Sequence, residues 1–492
     1  MQAENNISTQ NLVSGSMKNG SWFALLIFLV NLILKLWFLS YNDLALDEPF
    51  TLFHSQKSFA GIFEMLKGEN NPPLYFLFMK IWTSIFGIGT FAARFPSAVF
   101  SSLAASMIYL TGRKFFNLRI GLIASLLFTF SNTHLFYAQD ARVYALFFLL
   151  TVCSTYVFLG LQQQPGSKKL LIGWIILNVL LLYSHFFGIV FVFFQLLALL
   201  CLKQLRETLL KQTLWCCFVL ILLFSPYIPI LLQRFISTTG NTPWIQPPLW
   251  SDLYTMFWRF SNTPVNTVIM LSLLLIGIYL LFSNKRINSV VLPGNFRVLL
   301  FLLFIPLLFI FFLSFKIPLF LDRYLIFVSL YYYLLVAISI DFLLPKKSWS
   351  IGIAMLLPIL MAFSYHFKSE KKRNVKELVE KVRAESGENT AIYIYPEWFD
   401  LNFVYYYQKD WFTKPDETRR LLNDHHIYPV LHPEDLDNNS LSSFKDVFLI
   451  DAEGGTFDEG NPFAVKIGTI FPKKEISEIY EHLYIIHFSK AE

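Results

Sequence analysis

The sequence predicts a polytopic α-helical membrane protein of about 11 transmembrane helices, followed by a small C-terminal α/β domain outside the cytoplasm. Three observations predict it. Of the 492 residues 55% are hydrophobic, 53 are phenylalanine and only 15% carry charge, far from the balance of a soluble protein. Apolar runs recur along the chain, each approaching the roughly 20 residues that cross a bilayer. After Phe367 the hydropathy drops and the chain turns polar and mixed.

The first twenty residues are polar and include Glu4, unlike the basic start of a cleaved leader, so residues 1–20 are expected as a cytoplasmic segment and the first span as a retained anchor. Apolar runs then fall at 21–40, 91–111, 120–138, 143–161, 170–184, 186–202, 213–233, 264–283, 296–315, 324–344 and 349–366, which makes 21–366 the membrane domain. One further apolar piece, 72–86, is short, opens on two prolines and holds Lys80. Charge parity decides how to read it. If it stays on one side, the clusters Arg113-Lys114 with Arg119, Lys168-Lys169, Lys203 to Lys211, Lys285-Arg286 and Lys346-Lys347 all fall on the side of the N-terminus, as the positive-inside rule requires. It is therefore expected as an interfacial helix within a first exoplasmic loop, 41–90.

The same distribution explains the net charge of +6: the basic residues lie between apolar runs, which excludes nucleic acid as a partner. Cys153, Cys201, Cys216 and Cys217 sit in apolar runs without metal-ligand spacing and read as packing residues. In the tail, 367–492, short apolar runs at Ala391 to Tyr395, His426 to Leu431, Val447 to Ile450 and Leu483 to Phe488 predict strands, and Leu401 to Gln408 and Lys473 to His482 predict helices. No glycine-rich phosphate loop opens a tail helix, so no nucleotide is expected there.

With this topology the polar sites gather on the exoplasmic side: Asp47-Glu48, Asn71-Pro72-Pro73, Arg94, Gln139 to Arg142, His185, the Trp244 to Pro248 loop and Asp322-Arg323-Tyr324. Each has two readings. Asp47-Glu48 is a hydrated turn fixed by Pro49, or an acid pair that takes a proton or holds a divalent cation. Arg94 is an arginine reaching to a lipid headgroup, or a fork of donors for a phosphate. Asp140 and Arg142 form a local charge pair between belt tyrosines Tyr137 and Tyr144, or part of a sugar-phosphate site. His185 is a hydrogen-bonded loop residue, or with Glu48 a weak metal-ligand candidate. Arg323-Tyr324 carries the same ambiguity as Arg94.

Taken in order, Asp47-Glu48, Asn71-Pro72-Pro73-Leu74-Tyr75, Ala93-Arg94-Phe95-Pro96-Ser97, Ala138-Gln139-Asp140-Ala141-Arg142-Val143-Tyr144, Tyr183-Ser184-His185 and Arg323-Tyr324 resemble the membrane-embedded glycosyltransferases of the GT-C fold, in the bacterial branch similar to protein O-mannosyltransferases and the aminoarabinose transferases of lipid A. The resemblance is carried by the N-terminal third and continues more weakly to about residue 345. It implies inverting transfer of a sugar from a polyprenyl-phosphate carrier to a glycolipid, polysaccharide or protein acceptor, on the periplasmic or extracellular side of a bacterial inner membrane. In it Asp47 resembles the catalytic base with Glu48 its adjacent acid, Arg94 and Arg142 donor-phosphate contacts and Asp140 the second-loop acid. Tyr144, Arg323, Tyr324, Asn71 and Tyr75 are the further donor-site candidates. Asn71 is a departure, since the family often has a basic residue or histidine in that motif, and the tail matches no family pattern.

That chemistry suits the residues. A polyprenyl phosphate leaves readily once arginines hold its charge, so the needs are a base, a cationic clamp and no nucleotide; whether a divalent metal ion takes part stays open. Two other functions fit a many-span chain. A flippase or transporter of lipid-linked saccharides would place ionisable groups near the midplane, often within internal repeats, and no repeat is seen. A polyprenyl-linked glycan ligase or polymerase would place its key basic residues in a large late loop.

Overall fold

The computed structural model describes residues 21–69, 71–237, 245–283, 294–345, 349–368, 374–436, 441–452, 462–480 and 483–490. The expected cytoplasmic segment 1–20, together with Trp244, Lys285, Arg286, Lys346 and Lys347, lies outside them. The chain divides into two compact units: residues 1–37, 66–75 and 94–369 form the first, and residues 38–65, 76–93 and 370–492 the second.

The first unit is helical. Four helices have the length and apolar composition to cross a membrane: Thr90–Phe115, Tyr144–Gln163, Lys203–Gln233 and Asn295–Leu313. Two pairs add up to two more spans if each bent pair is one: Leu118–Thr129 with Asn132–Ala138, bent by 65°, and Ser251–Ser261 with Pro264–Leu280, bent by 101°. Ser21–Leu36, Phe186–Cys201, Val328–Leu343 and Ser350–Phe363 are apolar but shorter. The chain is thus a mostly helical membrane protein in which, among the described residues, four to six helices have spanning length, while the shorter apolar helices fall on others of the eleven expected runs.

A helix apolar on every face belongs in a protein interior. Val328–Leu343 is one, and every residue from Val328 to Ile340 is buried. Its three consecutive tyrosines bury rings and still satisfy their hydroxyls: Tyr331 meets Thr155 Oγ1 at 3.0 Å, Tyr332 meets Ser261 Oγ at 3.1 Å and Tyr333 donates to the Phe260 carbonyl at 2.8 Å. Against this helix Gly277 packs so closely that an added Cβ would lie 2.1 Å from Ser339 Oγ. Small residues let helix backbones approach where lipid supplies no hydrophobic drive. By contrast Phe218, Ile221 and Leu222 on Lys203–Gln233 are exposed, as lipid contact allows.

The two helix breaks support each other. Non-helical backbone within a membrane protein needs internal partners for its freed N–H and C=O groups. Asn262, in the left-handed region at φ 67°, donates from Nδ2 to the Phe130 carbonyl at 2.8 Å and accepts the Asn132 N–H on Oδ1 at 2.8 Å. One amide side chain therefore serves both breaks, and asparagine is among the few residues that tolerate that conformation. At another corner Asn117 caps the Ile120 N–H and donates to Asp341, which also pairs with Arg119 at 3.3 Å.

The second unit contains a five-stranded sheet. Its strands are β1 (Thr390–Tyr395), β2 (Ile427–Pro429), β3 (Asp446–Asp451), β4 (Lys473–Tyr480) and β5 (Leu483–Ser489), in the order β2-β1-β3-β5-β4. β2, β1 and β3 run parallel, with Ile392 opposite Ile427 and Phe448, while β5 and β4 add antiparallel. Ala391, Tyr393, Val447, Leu449, Ile486 and Phe488 share one core with Phe463, Ile467 and Phe471. The expected helix over Lys473 to His482 is instead β4. Ile476, Ile479 and Tyr480 have helical spacing, but so short a helix is marginal alone, and pairing with β5 gives the backbone partners along one edge.

Of the expected first loop, residues 38–65 and 76–93 belong to this same unit and 66–75 to the first. Leu74–Phe86, which begins in the first unit, has thirteen residues, about 20 Å of helix, well short of a bilayer core of about 30 Å. Its Lys80 Nζ donates to the Lys57 carbonyl at 2.6 Å, and Trp82 Nε1 donates to the Ala92 carbonyl at 2.7 Å.

Candidate active site

In the first unit three distant segments meet at the ends of helices. Tyr137 closes the bent pair, Asp140 and Arg142 occupy the turn after it, and Tyr144 opens the next helix. His185 stands between Lys168–Ser184 and Phe186–Cys201, and Asp322, Arg323 and Tyr324 precede Val328–Leu343. Tyr144 lies 5.7 Å from the His185 ring and 5.0 Å from Tyr137, and Tyr324 lies 5.6 Å from His185. Arg142 and Arg323 both lie within electrostatic reach of His185. Tyr137 donates to Asp322 Oδ1 at 3.2 Å, and Arg323 lies over the Tyr324 ring at 5.5 Å. Two cations and two tyrosines are thus gathered around one imidazole, with Tyr137 beside Tyr144.

His185 has a structural role of its own. Its Nδ1 accepts the Phe187 N–H at 3.1 Å and caps the helix that follows. This fixes Nδ1 as an acceptor and leaves Nε2 to carry the proton of the neutral ring. Among the described residues no group of three or more His, Cys, Asp or Glu side chains could hold a metal ion.

Arg94 lies in the first turn of Thr90–Phe115 and is 1% exposed. A headgroup anchor needs its guanidinium outside the protein, so this burial disfavours the anchoring reading. One turn further, Ser97 Oγ sits 3.5 Å from both the Arg142 carbonyl and the Tyr75 hydroxyl, joining the Arg94 turn, the Arg142 loop and Tyr75. Asp140 and Arg142 are also buried. Asn71 makes a local bond to Glu69 at 2.9 Å.

Two contributors lack a motif. Arg259 pairs with Asp322 at 3.4 Å, a contact between segments far apart in sequence. Lys35, at the end of the first apolar helix, is fully buried; its Nζ donates to the Thr129 carbonyl at 3.3 Å and lies 5.5 Å from the Tyr365 ring. Gln139 ties this region to the turn by donating to the Lys35 and Trp37 carbonyls at 3.2 and 2.8 Å. A lysine inside an apolar run is a legible signal, since intramembrane ionisable residues mark functional or network positions.

Asp47 and Glu48 belong to the second unit. They open the ten-residue helix Asp47–Gln56, where the positive end of the helix dipole favours carboxylates. Asp47 is exposed and Glu48 is buried. Leu46, just before them, holds φ 59°, a left-handed conformation costly for a γ-branched side chain. The tail helix Asp400–Tyr407 holds this stretch in place: Asn402 Nδ2 donates to the Leu46 carbonyl at 3.2 Å, and the Tyr406 hydroxyl accepts the Leu44 N–H at 2.6 Å. Tyr405 donates to the Ile88 carbonyl at 2.8 Å, in the turn preceding Thr90–Phe115. In the same helix as Asp47, burial and the nearby Lys57 push His54 down to about 4, so it is neutral at physiological pH.

Residues 70–230 match the sequence pattern of the dolichyl-phosphate-mannose-protein mannosyltransferase family. Asp47 and Glu48 precede the matched region. No curated relative matches the sequence. Among solved structures, ArnT from Cupriavidus metallidurans in its apo state superposes with a TM-score of 0.55 at 13% identity, covering 97% of this chain and 98% of that one. The same protein bound to undecaprenyl phosphate gives 0.55 at 11% identity, covering 96% and 98%. The apo oligosaccharyltransferase of Archaeoglobus fulgidus also gives 0.55, at 9% identity, covering 93% of this chain and 70% of that one. The chain thus has the fold of the GT-C membrane glycosyltransferases, with the mannosyltransferase family pattern over residues 70–230.

Proposed function

We propose that the protein is a glycosyltransferase that moves a sugar from a polyprenyl-phosphate carrier to a hydroxyl acceptor with inversion. The observation that carries this reading is the gathering of Arg142 and Arg323 with Tyr144 and Tyr324 around His185, and of Tyr137 beside Tyr144, in an apolar helical unit. Cations with aromatic rings suit a sugar phosphate, and the same fold in ArnT binds undecaprenyl phosphate.

In this reading Asp47 takes the proton of the acceptor hydroxyl as its oxygen attacks the anomeric carbon. The bond from that carbon to the phosphate oxygen breaks, and the electron pair leaves with the polyprenyl phosphate. Arg94 and Arg142 hold the growing charge, with Arg323 as a further contact. Asp47 suits the base because it is exposed to an acceptor arriving from water, and Glu48 is the buried acid beside it. Tyr75, Asp140, Tyr144 and Tyr324 complete the donor site. The acceptor is a glycolipid, polysaccharide or protein, and the reaction takes place on the periplasmic or extracellular face of a bacterial inner membrane.

The test is transfer by the purified chain from a radiolabelled polyprenyl-phosphate sugar, compared with Asp47→Asn. Loss of the base should lower turnover on the order of 100-fold or more, with insertion and folding intact. Turnover at the wild-type level in Asp47→Asn would remove Asp47 from the mechanism.

A further inference from the structure

The second unit contains a cleft of about 390 Å³ at the edge of its sheet, within the range of small-ligand sites, roughly 300–1,000 Å³. It lies beside the carboxyl ends of the parallel strands β1 and β2, the end at which open α/β sheets bind ligands. Its walls include Tyr393, Tyr428, Glu397, Arg419, Asn423 and Asp435. The two tyrosine rings lie side by side at 5.3 Å on neighbouring strands.

Two of the polar groups, Asp435 and Arg419, are held by backbone partners. Asp435 Oδ2 accepts the Leu431 and His432 N–H groups at 2.9 and 2.8 Å, which hold this carboxyl below the usual range and therefore ionised. Arg419 donates to the Pro429 carbonyl at 3.2 Å and lies within electrostatic reach of both Asp435 and Asp400. Glu397 and Asn423 are exposed and face the cleft from the β1 side and from the helix Thr418–Asp424.

Charge decides the ligand class. The walls carry two carboxylates and one guanidinium, so a phosphate or nucleotide would meet net negative charge. Carboxylates, a guanidinium and an amide offer acceptors and donors for adjacent hydroxyls, and the partly exposed Tyr428 ring, backed by Tyr393, offers an apolar edge. We infer that this cleft is a saccharide-binding site on the α/β unit, taking a neutral sugar residue. It uses neither Asp47 nor the arginines of the helical unit, so glycoside binding here stands whether or not Asp47 is the base.

Saturation-transfer difference NMR on the full chain in nanodiscs tests this, with methyl α-mannopyranoside, methyl β-glucopyranoside and N-acetylglucosamine as probes and glucose 1-phosphate as the anionic counterpart. Nanodiscs avoid the sugar headgroups of maltoside detergents. At least one neutral probe should receive saturation at its ring protons, and Glu397→Gln and Asn423→Ala should each weaken it about fivefold, the effect of one hydrogen bond. Both side chains are exposed, so both variants should fold, and Asp47→Asn should leave the signal intact. Saturation of none of the neutral probes, saturation unchanged in both variants, or preference for glucose 1-phosphate would each overturn the assignment.

Discussion

The two units position their polar groups by opposite means. In the helical unit Arg94, Asp140, Arg142 and His185 are buried, each set at a helix end or break, and His185 and the Arg142 carbonyl meet side chains of other helices. In the α/β unit Asp47 is exposed, and the backbone before it is held by side chains of a helix more than 350 residues later in the chain. A cation that must stabilise a departing phosphate gains from a dry surrounding, where each charge interaction is stronger. A base that must meet an acceptor from water gains from exposure, and needs support from behind. The contrast teaches that the α/β tail is part of the platform on which the acid pair stands.

The largest effect that would break this comparison is at the buried cations. Removing one preorganised charge partner of a leaving group typically costs 10²–10³ in turnover, so Arg142→Ala should lose about that much. Arg94→Ala should behave alike, while Arg94→Lys retains part of the activity because the charge persists without the bidentate fork. Donor kinetics unchanged in an Arg94→Ala, Arg142→Ala double variant would return both to a structural role.

Next in size is the shared asparagine of the two helix breaks. Asn262→Ala leaves the Phe130 carbonyl and the Asn132 N–H without that partner and should cost about 1–3 kcal/mol, read as a lower melting temperature in nanodiscs. An unchanged melting temperature would mean that each break is supported separately.

Smaller again is the support from the tail. Tyr406→Phe deletes the acceptor of the Leu44 N–H and should cost about 1 kcal/mol, lowering turnover about fivefold without changing donor KM. A change confined to donor KM would instead link the tail helix to the donor site.

A different kind of effect is a pH dependence of the α/β unit. Burial pushes the Asp400 carboxyl up to about 7, opposed by the Leu401 N–H and Arg419. A carboxyl with a higher pKa in the folded chain takes up a proton on folding, so its contribution is fully present at acid pH and is lost as pH rises through about 7. Melting of this unit should therefore fall as pH rises from about 4 to about 7 and level off above, and Asp400→Asn should flatten that dependence. An equal slope in the variant would assign it to another group.

Much of the architecture was legible in local pattern. Apolar runs marked the helices of the first unit, and short alternating or apolar runs marked β1, β2, β3 and β5, because side-chain periodicity is a property of consecutive residues. β4 was misread as a helix, since its pairing with β5 outweighs the helical spacing of Ile476, Ile479 and Tyr480. The arginine and tyrosine motifs were also visible as short clusters, whereas Arg259 carried no motif because its partner Asp322 is distant in sequence.

By itself the sequence determined that the chain is an apolar helical membrane protein, and it named the polar residues that stand out against that background. Only the tertiary structure decided which runs are continuous helices and which are broken at Asn262 and Phe130, because a break is stabilised by hydrogen bonds from elsewhere in the fold. It also decided that residues 38–65 and 76–93 share a compact unit with the C-terminal sheet, through Asn402, Tyr405 and Tyr406. Hydropathy could not reveal this, because a hydrogen bond between residues 44 and 406 leaves no periodic trace in either segment.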